Sequence, residues 1–467
     1  MPYRRGRSCS SIVRRILLSA LGGFLCVAGS AAGPAVGEPS SDTAACDSYS
    51  ATEDALWERE FLRAAGRQIF GVADMWGESV RGSKLIQRWY EEQRIPSAAG
   101  VRRYLRTVGA RSPSQRVGLL FYDHQTQPSS PPELHSWLIA EQRAIHCRHA
   151  VSRSRLASVV GALRQALGVE ELQVARSATR RGYEMPSPGA SRPTLADSVR
   201  EATRLLLPET FVDENVDTLI IVPTGELTTI PFAVLQPLPG GRHLIDRATL
   251  VVAPSLADLN RAGRPVTFEK ALIVGNPTVP HNQEWIMPPL PGAEAEAIDI
   301  GRFLGTSPLI RAAATKTAVT GRARDADLLY LATHGVADPQ DPNNGSFLAL
   351  AGDRKAGWRW TLKDIQFTRF RARLAVLSAC QTGLGQVQDA GILGIARAFQ
   401  IAGVDRVVIS LWNVDDAATH ELMTSFMRSL TAGTRADRAL RDGMRSTREK
   451  YPHPAHWASF VLFAGTP

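Results

Sequence analysis

Several signatures of common chemistry are missing from this chain. It has no Gly-rich phosphate loop ending in Lys-Ser/Thr, no His-Glu-x-x-His, no Gly-x-Ser-x-Gly and no Cys-x-x-Cys. Nucleotide-phosphate, zincin, serine-hydrolase and dithiol chemistry are therefore unsupported, and no metal and no cofactor are expected. There is no 34-residue repeat, which excludes a tetratricopeptide array. Basic runs with interleaved aromatics are also missing. The net charge of +9 owes five units to Arg4, Arg5, Arg7, Arg14 and Arg15, in a stretch 1–32 that holds no acid. What remains is modest, and no nucleic-acid partner is expected. Beyond one N-terminal segment, no apolar run is long enough to cross a membrane.

Cysteine is sparse. Five are present, and two of them, Cys9 and Cys26, lie in residues 1–32. There Arg14-Arg15 precede the apolar stretch Ile16–Ala28, and the small residues Gly29-Ser-Ala-Ala32 follow. This order is that of a secretory signal peptide, so residues 1–32 are expected to be removed, with the mature chain starting between Ala31 and Glu38. The stretch is short and Gly-rich for an anchor of about 20 residues. Export to a periplasmic or extracellular compartment is expected, with no stable membrane span after cleavage. Cys46, Cys147 and Cys380 then remain, an odd number that leaves one thiol unpaired. Cys46 and Cys147 could bridge and leave Cys380 free, or all three could be reduced; the sequence leaves both open.

Residues 33–50, rich in Ala, Gly, Ser and Pro, read as a mobile leader. From Thr52 to about Arg106 the spacing of Leu56, Phe61, Leu62 and Ile69 is helical, with Trp57, Trp76 and Trp89 as packing anchors. Candidate strands follow at 118–122 and 134–139, helices at 152–167 and 195–207, a polar loop at 176–194 and a strand at 218–222. A second unit starts near Lys270. Strands are expected at 271–277, 309–310, 327–333, 374–379, 406–412 and 459–463. Helices are expected at 293–304, 316–324, 392–402, 417–430 and 435–449. Strands alternating with helices argue a doubly wound α/β sheet. The organisation expected is a signal peptide at 1–32, a leader and helical extension at 33–110, a smaller α/β subdomain at 111–269 and a larger one at 270–467.

Two of these strands end in reactive residues. Asp327-Leu-Leu-Tyr-Leu-Ala-Thr-His334-Gly335 and Leu374-Ala-Val-Leu-Ser-Ala-Cys380-Gln-Thr-Gly383 are apolar runs that stop at polar residues. Buried parallel strands look like this, and the carboxyl ends of strands in open α/β sheets face the ligand crevice. If the strands are neighbours, a thiol and an imidazole lie side by side, the minimum for nucleophilic acyl transfer.

At these residues the chain resembles the CHAT domain, a caspase-like cysteine peptidase domain related to separase. The resemblance rests on Leu331-Ala-Thr-His-Gly335, Leu377-Ser-Ala-Cys-Gln-Thr-Gly-Leu-Gly385, Gly394-Ile-Ala-Arg-Ala-Phe399 and Ser410-Leu-Trp-Asn-Val-Asp-Asp416. Val222-Pro-Thr-Gly-Glu-Leu227, Leu290-Pro-Gly-Ala-Glu294 and Trp457-Ala-Ser-Phe460 agree with it, and it runs from about Arg116 to Phe463. The 46 residues between His334 and Cys380 are close to the roughly 50 found in caspases. The resemblance implies a caspase-like, mostly parallel sheet preceded by a smaller degenerate α/β unit, with His334 as catalytic histidine and Cys380 as nucleophile. Gln381 stands where the family commonly has Glu. The repeats often joined to this domain are missing here.

The function expected is a cysteine endopeptidase cutting a protein or peptide substrate after a basic residue. The alternative is a catalytically silent binding module with a regulatory protein partner. The backbone amides of Gly335 and Cys380 are candidates for the oxyanion site. Asp415 is assigned to the substrate pocket together with Gln381. Asp416 is assigned to the cap of the following helix, with the pocket as its other candidate place. Gly383 reads as a turn residue, Asp338 and Asp341 as solvated loop residues, and Trp285, Trp358, Trp360 and Trp412 as packing residues. The loops 176–194 and 352–373 offer self-processing sites.

Overall fold

The structure is a computed structural model. It describes residues 44–75, 95–110, 115–126, 130–169, 193–260, 263, 265–266, 268–280, 287–336, 341–352, 356–378, 387–388, 391–392, 394–412 and 415–467. Residues 1–32, where a signal peptide is expected, lie outside the described residues, as do Trp76, Trp89, most of the loop 176–194, Trp285, Asp338, Cys380, Gln381 and Gly383.

The first half holds β1 (Ala45–Ser50), α1 (Asp54–Met75), α2 (Ala98–Ala110), β2 (Val117–Gln125), β3 (Glu133–Ile139), β4 (Arg143–Ala150), α3 (Arg153–Ala166), α4 (Leu195–Leu206), β5 (Thr218–Val222) and β6 (Thr249–Val252). The second half begins with β7 (Ala271–Pro277), α5 (Pro291–Leu304), β8 (Leu309–Arg311), α6 (Lys316–Ala323) and β9 (Leu328–Ala332). The short strands β10 (Gly335–Val336), β11 (Phe347–Ala349) and β12 (Arg359–Thr361) follow, then α7 (Leu362–Gln366) and β13 (Leu374–Leu377). After the hairpin β14 (Val387–Gln388) and β15 (Gly391–Ile392) come α8 (Ile395–Ile401), β16 (Arg406–Ser410), α9 (Asp416–Thr431), α10 (Ala436–Lys450) and β17 (Phe460–Ala464).

One 12-stranded sheet in the order β1-β4-β3-β2-β5-β6-β17-β16-β13-β9-β7-β8 runs through both halves. Within this sheet, antiparallel pairing is confined to β1 through β2 at one end and to β16 with β17. The other seven neighbouring pairs are parallel. The C-terminal strand β17 joins the halves, with Phe463 opposite Val252.

Apart from the edge strand β8, the parallel strands are largely buried on both faces, as crossover helices on both sides require. Alternate residues serve two cores. Leu328, Tyr330 and Ala332 pack with Ile300, Leu422 and Phe426, while Leu329 and Leu331 pack with Phe399 and Ile365 on the other face. Against β7 the helix α5 sits so close that a Cβ on Gly275 would meet the Ala297 Cβ at 2.4 Å.

The leader expected over 33–50 ends earlier than its composition implies. Ala45–Ser50 is the edge strand β1, paired with β4 from Ala45 opposite Arg148 to Ser50 opposite Arg143. Its residues are mostly exposed, so no hydrophobic period marks it. A disulfide joins Cys46 to Cys147, which are directly opposite in the register. β4, β6 and the small β10-β11-β12 sheet are also strands that the apolar pattern did not single out.

Candidate active site

The strands β9 and β13 are parallel neighbours, with Leu331 opposite Leu377. β16 flanks β13 on its other side. All three point their carboxyl ends at the same sheet edge. Beyond β9, Thr333 is buried and donates its hydroxyl to Ala349 O at 2.5 Å. The next residue, His334, is tied on its backbone by Ala349 N–H donating to its carbonyl at 2.9 Å. These two bonds fasten the strand end to β11.

The His334 ring is half-buried, and its Nε2 lies 2.7 Å from Pro288 O. A carbonyl only accepts, so Nε2 carries the proton and Nδ1 is the basic nitrogen of the neutral ring. Gly335 is buried and sits in β10 opposite Leu348. Asp341 caps the short turn that follows it, accepting from Asn344 N–H at 3.2 Å.

Beyond β16 the cap expected of Asp416 falls to Asp415. Asp415 is the cap of α9: its Oδ1 accepts from Ala417 N–H at 3.0 Å and Ala418 N–H at 3.1 Å. Asp416 is the first helical residue and lines a cavity at the strand ends with Glu296, Thr333, Ser378, Ser410 and Trp412. The correction has a simple cause. Which of two adjacent aspartates caps depends on where the helix begins, a shift of a single residue. α5 approaches Asp416 so closely that a Cβ on Gly292 would meet the Asp416 Cβ at 2.6 Å.

Sequence reasoning missed Glu296. It lies on α5, is fully buried, and receives a hydrogen bond of 2.6 Å from the Tyr330 hydroxyl. The Ser378 hydroxyl, just past β13, lies against the same carboxyl. Burial pushes the Glu296 pKa up to about 8; the Tyr330 and Ser378 hydroxyls pull against that, and nearby Asp416 adds to it. Near neutrality Glu296 is therefore mostly a neutral acid. Its only signal in the sequence is an acidic residue on the stripe that holds Ala297 and Ile300.

The tryptophans behave as packing residues. Trp360 is buried against Phe370 and Phe399, and Trp358 meets Phe347 edge-on. Trp412 is buried on the cavity wall and donates Nε1–H to Ala455 O at 3.0 Å. Arg397, within the Gly394–Phe399 motif, forms a fully buried ion pair of 2.9 Å with Asp258, which ties α8 to the first half of the chain.

Among the described residues no helix is long and apolar enough to cross a membrane. The CHAT domain family model matches residues 195–465, a shorter reach than the start near Arg116 read from the motifs. Tetratricopeptide repeat protein 28 of Mus musculus and of Homo sapiens are each 29% identical over 290 residues. That match takes in 52% of this chain and 12% of the relatives, so the chain spans about an eighth of their length. Among solved structures, the Saccharomyces cerevisiae separase–securin complex matches with a TM-score of 0.46 and 11% identity, over 78% of this chain and 31% of that one. The Arg-specific cysteine proteinase gingipain R matches with a TM-score of 0.38 and 12% identity, over 59% and 68%.

Proposed function

This chain belongs to the CHAT domain family, and from that premise we propose that it is an exported cysteine endopeptidase with a His334–Cys380 dyad, cutting after a basic residue. One observation carries the reading. β9 and β13 are parallel neighbours with Leu331 opposite Leu377, and His334 and Cys380 each follow that matched pair by three residues of sequence. Equal lengths of chain past a matched pair lead toward the same crevice at the sheet edge.

In this reading the Cys380 thiol passes its proton to His334 Nδ1, and the thiolate attacks the scissile carbonyl. The C–N bond breaks as His334 returns the proton to the leaving amine. Water, deprotonated by His334, then cleaves the thioester, which releases the carboxylic acid and restores the thiol. The backbone amides of Gly335 and Cys380 would meet the oxyanion. The carbonyl of Pro288 supports this assignment because it holds the imidazole in the tautomer with a basic Nδ1.

For specificity the pocket carboxylate is now Asp416, with Gln381 kept as its sequence-assigned companion. The cavity beside Asp416 has a volume of ≈ 30 Å³, the share of a single water. Export is supported by the Cys46–Cys147 disulfide, since such bonds persist in oxidising compartments. The test is a peptide library incubated with the full chain and with a Cys380→Ala control. Cleavage after Arg or Lys in the first arm alone is expected. No product in either arm favours the alternative, a CHAT fold that recognises a partner without cutting it.

A further inference from the structure

A second cluster of ligand-type side chains lies at the opposite end of the sheet. His135 on β3 and His146 on β4 share one face, with His146 directly opposite Trp137 in the register. Both imidazoles are buried. His135 Nδ1 and His146 Nε2 point at each other, 3.0 Å apart. Two N–H groups cannot occupy that gap, so at least one of these nitrogens is a bare lone pair. From α1, which packs over this face, Glu60 brings its Oε1 to 3.3 Å from the same His135 Nδ1. One nitrogen or oxygen from each of the three residues lies within 4.8 Å of the others.

These gaps suit a metal ion. Two nitrogens at ~2.05 Å from a tetrahedral zinc stand about 3.3 Å apart. The set of two imidazoles and a carboxylate is one that zinc takes. The surroundings favour it as well. His146 stacks on Trp137 with ring centroids 4.5 Å apart and planes 5° from parallel, and His135 stacks on the same indole at 5.6 Å. The rings are therefore held before any ligand arrives. The far nitrogen of His135, Nε2, faces the Glu133 carboxylate at 3.3 Å. That contact is an ion-pair distance and not a hydrogen bond, and it lies on the side of the ring away from Nδ1. Glu60 and Glu133 together supply the two negative charges that balance a divalent ion. Asp123 also bears on His135, though it is ion-paired to Arg67 at 2.6 Å, and Arg148 bears on His146. Both glutamates are about 40% exposed, which opens a route from solvent.

We propose that His135, His146 and Glu60 form a zinc-type divalent metal site that clamps α1 onto the β3–β4 hairpin, beside the Cys46–Cys147 disulfide. The site is independent of the dyad, and its test does not depend on peptide cleavage. The full chain carrying Cys380→Ala, so that the active-site thiol binds nothing, is stripped with chelator and dialysed against ZnCl2. Metal per chain is then counted by mass spectrometry. One equivalent is expected, and CoCl2 should give the visible absorption of four-coordinate Co2+. His135→Ala and His146→Ala should lose the metal. Glu60→Gln, a mild change at a partly exposed helix position, decides the matter should the histidine variants fail to fold. It should weaken zinc at least tenfold and abolish the rise in Tm that ZnCl2 gives the parent. Zinc held as tightly by Glu60→Gln as by the parent, or no zinc held by the parent, overturns the proposal.

Discussion

The two ends of the sheet solve the same burial problem in different ways. Around β9, β13 and β16 the strands are mostly apolar on both faces and lie between helices, and most polar residues lie at the strand ends. Around β1, β4 and β3 the strands are antiparallel and carry polar side chains along their length. His135, Ser136, His146 and Cys147 are all buried there. The inner end owes its stability to hydrophobic area, and its chemistry is pushed to the rim. The outer end needs specific partners for buried polar groups, because each one unpaired costs about 1–3 kcal/mol. A disulfide and a histidine pair at the sheet edge are the result.

The comparison can be broken most sharply at the inner rim. Cys380→Ala should lower peptide cleavage by a factor of about 10³ or more, with an unchanged melting curve. Equal turnover by the variant would show that the rim of β9 and β13 holds no dyad.

At the outer end the disulfide closes a loop with a sequence separation of 101 residues. By chain entropy such a loop is worth about 4–5 kcal/mol. Cys46→Ser should therefore cost a few kcal/mol in denaturant titrations, and reduction of the parent should cost the same. Cleavage chemistry at 25 °C should be untouched. Destabilisation of the active-site half alone, seen by hydrogen exchange, would contradict this division of labour.

Glu296 sharpens the contrast by placing a buried polar group at the inner end. Its folded pKa of about 8 lies above the ordinary carboxyl value. Between roughly pH 4.5 and 8 the unfolded chain has released this proton while the folded chain keeps it. Stability should therefore fall as pH rises through that window and level off above it, by roughly 3–5 kcal/mol in all. Glu296→Gln keeps a group that can accept from Tyr330 and should remove this slope. Identical pH profiles for parent and variant would refute the buried neutral acid.

The smallest effects distinguish the adjacent aspartates. Asp415→Ala should cost about 1 kcal/mol through the lost cap, with the residue preference unchanged. Asp416→Asn should weaken cleavage after Arg more than it weakens folding, read as kcat/KM on Arg and Ala substrates side by side. The reverse pattern would return Asp415 to the pocket.

The sequence alone determined the parallel half. Runs such as Leu374–Leu377 and Ala271–Pro277, bounded by turns, are readable because strands buried on both faces carry unbroken apolar runs, and the His334 and Cys380 motifs mark where two of them stop. The tertiary structure decided what depends on partners far away in the chain. β1 became a strand because β4 offered it an edge and Cys147 lay opposite Cys46. Asp416, not Asp415, met the cavity because α9 starts at Asp416, one residue earlier than the pattern places it. Glu296 turned inward because Tyr330, Ser378 and α5 met there. Glu60, His135 and His146, separated by up to 86 residues, have no local spacing that announces a site. They converge only when α1 covers the β3–β4 hairpin, because burial and cross-strand register are properties of the packed sheet and not of any window of sequence.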